Sequence, residues 1–267
     1  MSDERPLAPL TVHEGVATIT LTNPKANGYS YAMMRQIDAG ILEARMRADV
    51  HVIVIKGAGE KFFCAGADIA QLQGMDPTEK YYFCLHANET LCRFEQTPKL
   101  VIAAINGHCV GGGLEVAMAC DLRIARAGGG KVGLPEVKLG VLPGTGGTQR
   151  LLRLLGRAKA LELMITGETF DMERAHELGL LTGLLDAAPG APFQAAVHAY
   201  ARRFVPPHAP SQAIGFIKRA VQTGAELPLS GALGLERELQ QRLFCADDAR
   251  EGIAANREKR APSYTGR

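Results

Sequence analysis

Apolar runs with strand spacing alternate with segments of helical spacing through the first half of this 267-residue chain, and few folds accommodate that alternation. Val16-Ala17-Thr18-Ile19-Thr20-Leu21 and His51-Val52-Ile53-Val54-Ile55 read as strands. Between them Met33, Met34, Ile37, Ile41, Leu42 and Met46 recur at roughly helical spacing over residues 31–47. Asn23-Pro24 and Asn27-Gly28 mark the connecting segment as a loop. The theme then repeats. A glycine loop over 57–66 leads to a helix near 80–95 and a strand at 100–105. Asn106-Gly107 turns into three glycines and a short helix, and Leu122-Arg123-Ile124-Ala125 reads as another strand. Strands alternating with helices predict an α/β fold with βαβ units and a largely parallel sheet. From Gly147 onward the pattern becomes helical, with helices predicted at 151–155, 158–165, 172–178, 192–203, 211–221, 227–243 and 247–259.

The bulk properties exclude several classes. With 46% hydrophobic and 22% charged residues the composition is that of a globular protein, and a net charge of +2 supports neither nucleic acid nor anionic membrane as a partner. No apolar stretch approaches the roughly 20 residues needed to span a bilayer. The start, Met1-Ser2-Asp3-Glu4-Arg5-Pro6, does not resemble a signal or transit peptide. Six scattered cysteines (Cys64, Cys84, Cys92, Cys109, Cys120, Cys245) match neither a disulfide framework nor a zinc motif. No metal site is expected, and a cytoplasmic location is.

Two acids are harder to place structurally. Glu115 lies in Val110-Gly111-Gly112-Gly113-Leu114-Glu115-Val116-Ala117-Met118 and Glu136 in Leu134-Pro135-Glu136-Val137, each after a glycine-containing turn and between apolar neighbours. Buried carboxylates are paired or used. The glycines themselves do not form a nucleotide site: Phe62 stands where a dinucleotide fingerprint needs its third glycine, and Gly130-Lys131 is followed by Val132. No serine occupies a G-x-S-x-G elbow. What remains are two strand-to-helix turns, Ala65-Gly66-Ala67-Asp68-Ile69 and the triple glycine. Facing one another, their free backbone N–H groups could hold a carbonyl oxygen as negative charge develops on it. Tight turns that merely pack helices on a sheet would account for either motif alone.

These two turns, followed by Leu134-Pro135-Glu136-Val137-Lys138-Leu139-Gly140-Val141-Leu142-Pro143-Gly144-Thr145-Gly146-Gly147-Thr148-Gln149-Arg150, closely resemble the enoyl-CoA hydratase/isomerase (crotonase) superfamily. The resemblance runs on through Asp248-Ala249-Arg250-Glu251-Gly252 and Glu258-Lys259-Arg260. It implies a crotonase-like spiral of ββα units as an α/β core over 1–200, and a helical C-terminal region over 201–267 that assembles trimers or dimers of trimers. It also implies an acyl-CoA substrate, with coenzyme A part of that substrate and no separate cofactor.

By motif position, the N–H groups of Ala67 and Gly112 would polarise the thioester carbonyl and that of Gly144 would position a water. Glu115 would activate that water at Cβ, and Glu136 would deliver a proton to Cα. Isomerases of the family commonly lack the first acid, so two acids point to hydration. Lys25, Ala26, Ala65, Asp68 and Ile69 match positions near the CoA moiety, and Lys259 matches a lysine that reaches a CoA phosphate. Lys25 also reads as a solvated loop lysine, and a lone lysine in a basic helix end, like Lys259, is more often just solvated. The chain departs from the family pattern at Asn27-Gly28-Tyr29, usually Asn-Ala-Leu, at Val132-Gly133-Leu134, and at Asn256. These departures leave acyl-chain preference open. Isomerisation, thioester hydrolysis and a non-catalytic RNA-binding role are the competing readings.

Overall fold

The computed structural model describes residues 5–267, apart from the side chains at positions 69 and 70. Its strands are β1 Leu10–His13, β2 Val16–Leu21, β3 Val52–Gly57, β4 Phe62–Cys64, β5 Leu100–Ile105, β6 His108–Val110, β7 Leu122–Arg126, β8 Lys131–Gly133, β9 Thr169–Asp171 and β10 Gly183–Leu185. The helices are α1 Tyr31–Met46, α2 Ile69–Leu72, α3 Pro77–Gln96, α4 Gly112–Met118, α5 Gly147–Leu155, α6 Arg157–Thr166, α7 Met172–Glu177, α8 Ala191–Arg202, α9 Ser211–Gly224, α10 Leu229–Phe244 and α11 Asp247–Glu258.

The larger sheet has the order β1-β2-β3-β5-β7-β10, with every pair after the β1–β2 hairpin parallel. Alternation along each strand divides its side chains between two cores. Ala17, Ile19, Leu21, Ile53, Ile55, Val101, Ala103 and Ile105 pack with Met33, Met34, Ile37 and Ile41 of α1 and Phe83, Leu91 and Phe94 of α3. Val16, Val52, Val54, Ile102 and Ala104 face the other way, onto Phe193, Val197 and Ala201 of α8. Each large apolar side chain so buried contributes roughly 1.5–3 kcal/mol. The two helices over the first face start at strong caps. The Ser30 hydroxyl accepts the Met33 N–H, and Asp76 with Glu79 forms a capping box ahead of Pro77.

The predicted α/β class is borne out, but the chain holds more strands than its periodicity revealed. A second sheet has the order β4-β6-β8-β9, with β4, β6 and β8 parallel. Its three-residue strands are too short to show a period. β9 and β10 likewise interrupt the stretch after Gly147, where the sequence pattern predicts only helices.

The predicted boundary at residue 200 falls inside α8, which belongs to the second core through residues on both sides of it. Beyond it, α9 is pinned to the sheet by a buried ion pair. Lys218 Nζ lies 2.8 Å from Asp121 Oδ2 and also donates to the carbonyls of Phe94 and Lys99. Asp121 in turn accepts the Val101 N–H at the start of β5. α10 packs on α9, and α11 on α10. No helix among the described residues is long and apolar enough to cross a membrane.

Candidate active site

Parallel strands gather ligands at their carboxyl ends, and the small sheet does so three times over. β4 runs into the Ala65-Gly66-Ala67-Asp68 turn, β6 into Gly111 and α4, and β8 into Leu134-Pro135 and the short 3-10 helix Glu136–Leu139. The predicted turns therefore meet. A Cβ built on Gly66 would stand 2.9 Å from the Gly112 backbone nitrogen. Gly112 is the first residue of α4, so its N–H has no partner within the helix. Ala67 forms an isolated bridge with Tyr29 in which Tyr29 N–H donates to the Gly66 carbonyl and Asp68 N–H to the Tyr29 carbonyl. Among the described residues that pairing leaves the Ala67 N–H without a partner. Two free donors from facing turns are the geometry an oxyanion requires.

The three glycines are there for space and conformation. Gly111 caps α4 at φ +57°, a region costly for most side chains. A Cβ on Gly112 would run into the Tyr29 hydroxyl, and one on Gly113 into the Cys64 carbonyl. The loop before α1 is also held in an unusual backbone conformation, with Lys25 at φ +78° and Asn27 at φ +52°. The buried Asn27 amide anchors it by donating to the carbonyls of Ala58 and Phe62, 3.0 and 2.9 Å away.

The two acids stand in different environments. Glu115 is 2% exposed, and the chain supplies three donors to its carboxylate. Thr145 N–H and Gly147 N–H donate to Oε1 at 2.8 and 2.7 Å, and the Thr145 hydroxyl donates to Oε2. Gly147 opens α5, so Glu115 also sits at the positive end of that helix. Glu136 is half-buried beside Gly111, whose added Cβ would stand 3.2 Å from Glu136 Oε1. Its Oε2 is buried and has no hydrogen-bond partner among the described residues. Burial pushes the Glu136 carboxyl up to about 7; its own backbone N–H opposes the rise and the Glu115 charge adds to it. One carboxylate is held by donors as an acceptor, while the other is poised to carry a proton near neutrality.

The remaining predicted positions fall in two places. Ala26 and Ala65 are joined by the Ala65 N–H to Ala26 carbonyl bond, with exposed Lys25 beside them. Asp68 is half-buried at the end of the same turn, and the Ile69 side chain lies outside the described residues. Gly144 immediately precedes Thr145, and a Cβ on it would stand 3.2 Å from Cys84 Sγ. Lys259 comes from elsewhere, exposed at the C-cap of α11 with φ +54°.

Sequence reasoning missed the roles of Tyr29, Thr145 and Gly147. The Tyr29 hydroxyl lies 2.9 Å from Thr145 Oγ1, and its ring stacks on Phe83 with centroids 5.7 Å apart. The signal available was the departure at Asn27-Gly28-Tyr29. Thr145 and Gly147 were within the quoted motif but had no local feature tying them to Glu115. Behind residues 143–146 lies a cavity of about 1040 Å³ lined by Gly144, Leu142, Cys92 and Arg150, among others.

Comparison with known proteins shows the family and the fold. Residues 11–267 match the family model described as enoyl-CoA hydratase/isomerase. The chain is 38% identical to the putative enoyl-CoA hydratase/isomerase YngF of Bacillus subtilis, over 95% of this chain and 96% of that one. It is 35% identical to the short-chain-enoyl-CoA hydratase of Clostridium acetobutylicum, over 92% of each. The crystal structure of an enoyl-CoA hydratase from Geobacillus kaustophilus superimposes with a TM-score of 0.94 at 42% identity, covering 99% of this chain and 98% of the other. Matched by the family model over residues 11–267 and 38% identical to a family relative over 95% of its length, the chain belongs to the enoyl-CoA hydratase/isomerase family.

Proposed function

We propose that this protein adds water reversibly across the 2,3 double bond of a 2-enoyl-CoA thioester. The observation that carries the reading is the asymmetry of the acids: Glu115 accepts three hydrogen bonds, while Glu136 has a bare buried oxygen. A base for water and a donor for carbon need those two opposite environments. Water held by Glu115 and the Gly144 N–H attacks C3, and Glu115 takes its proton. The C2–C3 electron pair moves toward the thioester, whose oxygen is held by the N–H groups of Ala67 and Gly112. Glu136 then gives its proton to C2. Proton return from Glu115 to Glu136, directly or through solvent, restores the site. Each oxyanion donor contributes about 3–4 kcal/mol to such a step. The reverse sequence dehydrates a 3-hydroxyacyl-CoA.

Lys25, Ala26, Ala65, Asp68 and Ile69 are proposed to line the CoA path, with Lys259 of a neighbouring subunit reaching a phosphate. The exposed apolar side chains Val221, Leu229, Phe244 and Ile253 on α9–α11 support assembly into trimers or pairs of trimers. Six free cysteines support a reducing, cytoplasmic setting.

A steady-state panel of straight, branched and dicarboxylic 2-enoyl-CoAs, followed by loss of enoyl absorbance, tests the reaction. Glu115→Gln and Glu136→Gln should each lower crotonyl-CoA hydration by about two orders of magnitude or more with the fold intact. Near-normal turnover in either variant removes that residue from its role. Faster conversion of a 3-enoyl-CoA, or release of free CoA, would favour isomerisation or hydrolysis instead.

A further inference from the structure

Tyr29 has no part in the steps above, yet it touches both halves of the site. Its phenol lies against the face of Gly112 where a side chain would otherwise project, and its hydroxyl meets Thr145 Oγ1 at 2.9 Å. Proton counting gives this contact a direction. The Thr145 hydroxyl has one proton and donates it to Glu115 Oε2. Towards Tyr29, Thr145 can therefore only accept, and the phenol must donate. The chain Tyr29 to Thr145 to Glu115 is thus polarised toward the carboxylate for as long as Glu115 is ionised. Burial, reinforced by the Glu115 charge, holds the Tyr29 phenol well above its ordinary range, so the donor persists at working pH.

The phenol is also fixed in place. Its backbone is bonded on both sides to the Ala65-Gly66-Ala67-Asp68 turn, and Ser30 next to it caps α1. Its ring stacks on Phe83 of α3 with an interplanar angle of 11°. A leucine, the residue the family pattern carries at this position, could supply bulk but no donor.

We propose that Tyr29 is a positioning residue of this enzyme: acting through the Thr145 hydroxyl, it locks Oε2 of Glu115 so that the carboxylate's free lone pair stays aimed at the attacking water. The inference rests on the hydratase reading. Tyr29→Phe keeps the ring and its stacking and removes only the donor. Without it the Thr145 hydroxyl is free to turn away from Oε2. The expected result with crotonyl-CoA is a kcat about tenfold lower, with KM within about twofold of wild type.

Thr145→Val should produce a similar loss, and Thr145→Ser should retain the rate. Adding Tyr29→Phe to Thr145→Val should then cost nothing further, because the relay is already broken. A role in packing alone predicts additive losses, and additivity overturns the proposal. So does a rise in KM at unchanged kcat, which would make Tyr29 a substrate contact. A wild type that hydrates while Tyr29→Phe matches its kcat overturns the relay alone. A wild type that hydrates no 2-enoyl-CoA overturns the functional reading and the relay with it. Should Tyr29→Phe fail to fold, equal kcat values for Thr145→Val and Thr145→Ser would still overturn it.

Discussion

Glu136 sets the pH behaviour at the scale of single residues. In the proposed mechanism it gives its proton to C2 and must be protonated to do so, and its carboxyl is pushed up to about 7 by burial. In the hydration direction kcat/KM is therefore expected to fall as pH rises through about 7. A profile flat from weakly acidic to alkaline pH would remove Glu136 from that role. The same shift acts on stability. Folding raises this carboxyl from 4.5 to about 7, so between those values the folded chain binds more protons than the unfolded one, and stability declines as pH rises. Glu136→Gln removes that decline. Its melting temperature relative to wild type should climb across this window and level off above it. That Glu115 and Glu136 stand apart as candidate acids beside the glycine turns was legible from their sequence neighbours and motifs. Their division of labour came only from the resemblance; the contrast between their environments was not readable in sequence, because it depends on donors from residues 145 and 147, about thirty positions beyond Glu115.

Among elements, the critical joint is the docking of α9 on the main sheet. Lys218 is buried and Asp121 mostly so, and the pair ties α9 to β5 and α3. Removing one partner leaves a charge buried and uncompensated, so Asp121→Ala should cost about 3–5 kcal/mol in denaturant unfolding. Replacing both residues by apolar ones of similar size, Asp121→Leu with Lys218→Met, should recover most of that loss. A single variant of wild-type stability would show that the pair does not hold α9. The helices and long strands were readable in sequence because their apolar periods are sustained and their caps are local. The four-stranded sheet was not, since β4, β6, β8 and β9 have three residues each.

At the scale of the whole molecule, the C-terminal helices leave apolar side chains in solvent: Leu229 is 74% exposed, and Val221 and Phe244 are each 65% exposed. Burial between copies is the expected remedy. Light scattering should give a stable multimer, and Leu229→Asp with Phe244→Asp should lower its mass. A wild-type chain that stays monomeric at micromolar concentration would count against a CoA site shared between subunits. The sequence by itself determined the α/β class, the glycine turns and the two acids, because strand and helix periods and turn chemistry are short-range properties of the chain. The tertiary structure alone decided that three parallel strands end at one point, bringing Ala67 and Gly112 face to face. It also decided that Glu115 accepts three donors, that one buried Glu136 oxygen has none among the described residues, and that Tyr29 lies between the Gly112 turn and Glu115. Those relations join segments far apart in the chain, and only packing fixes such distances.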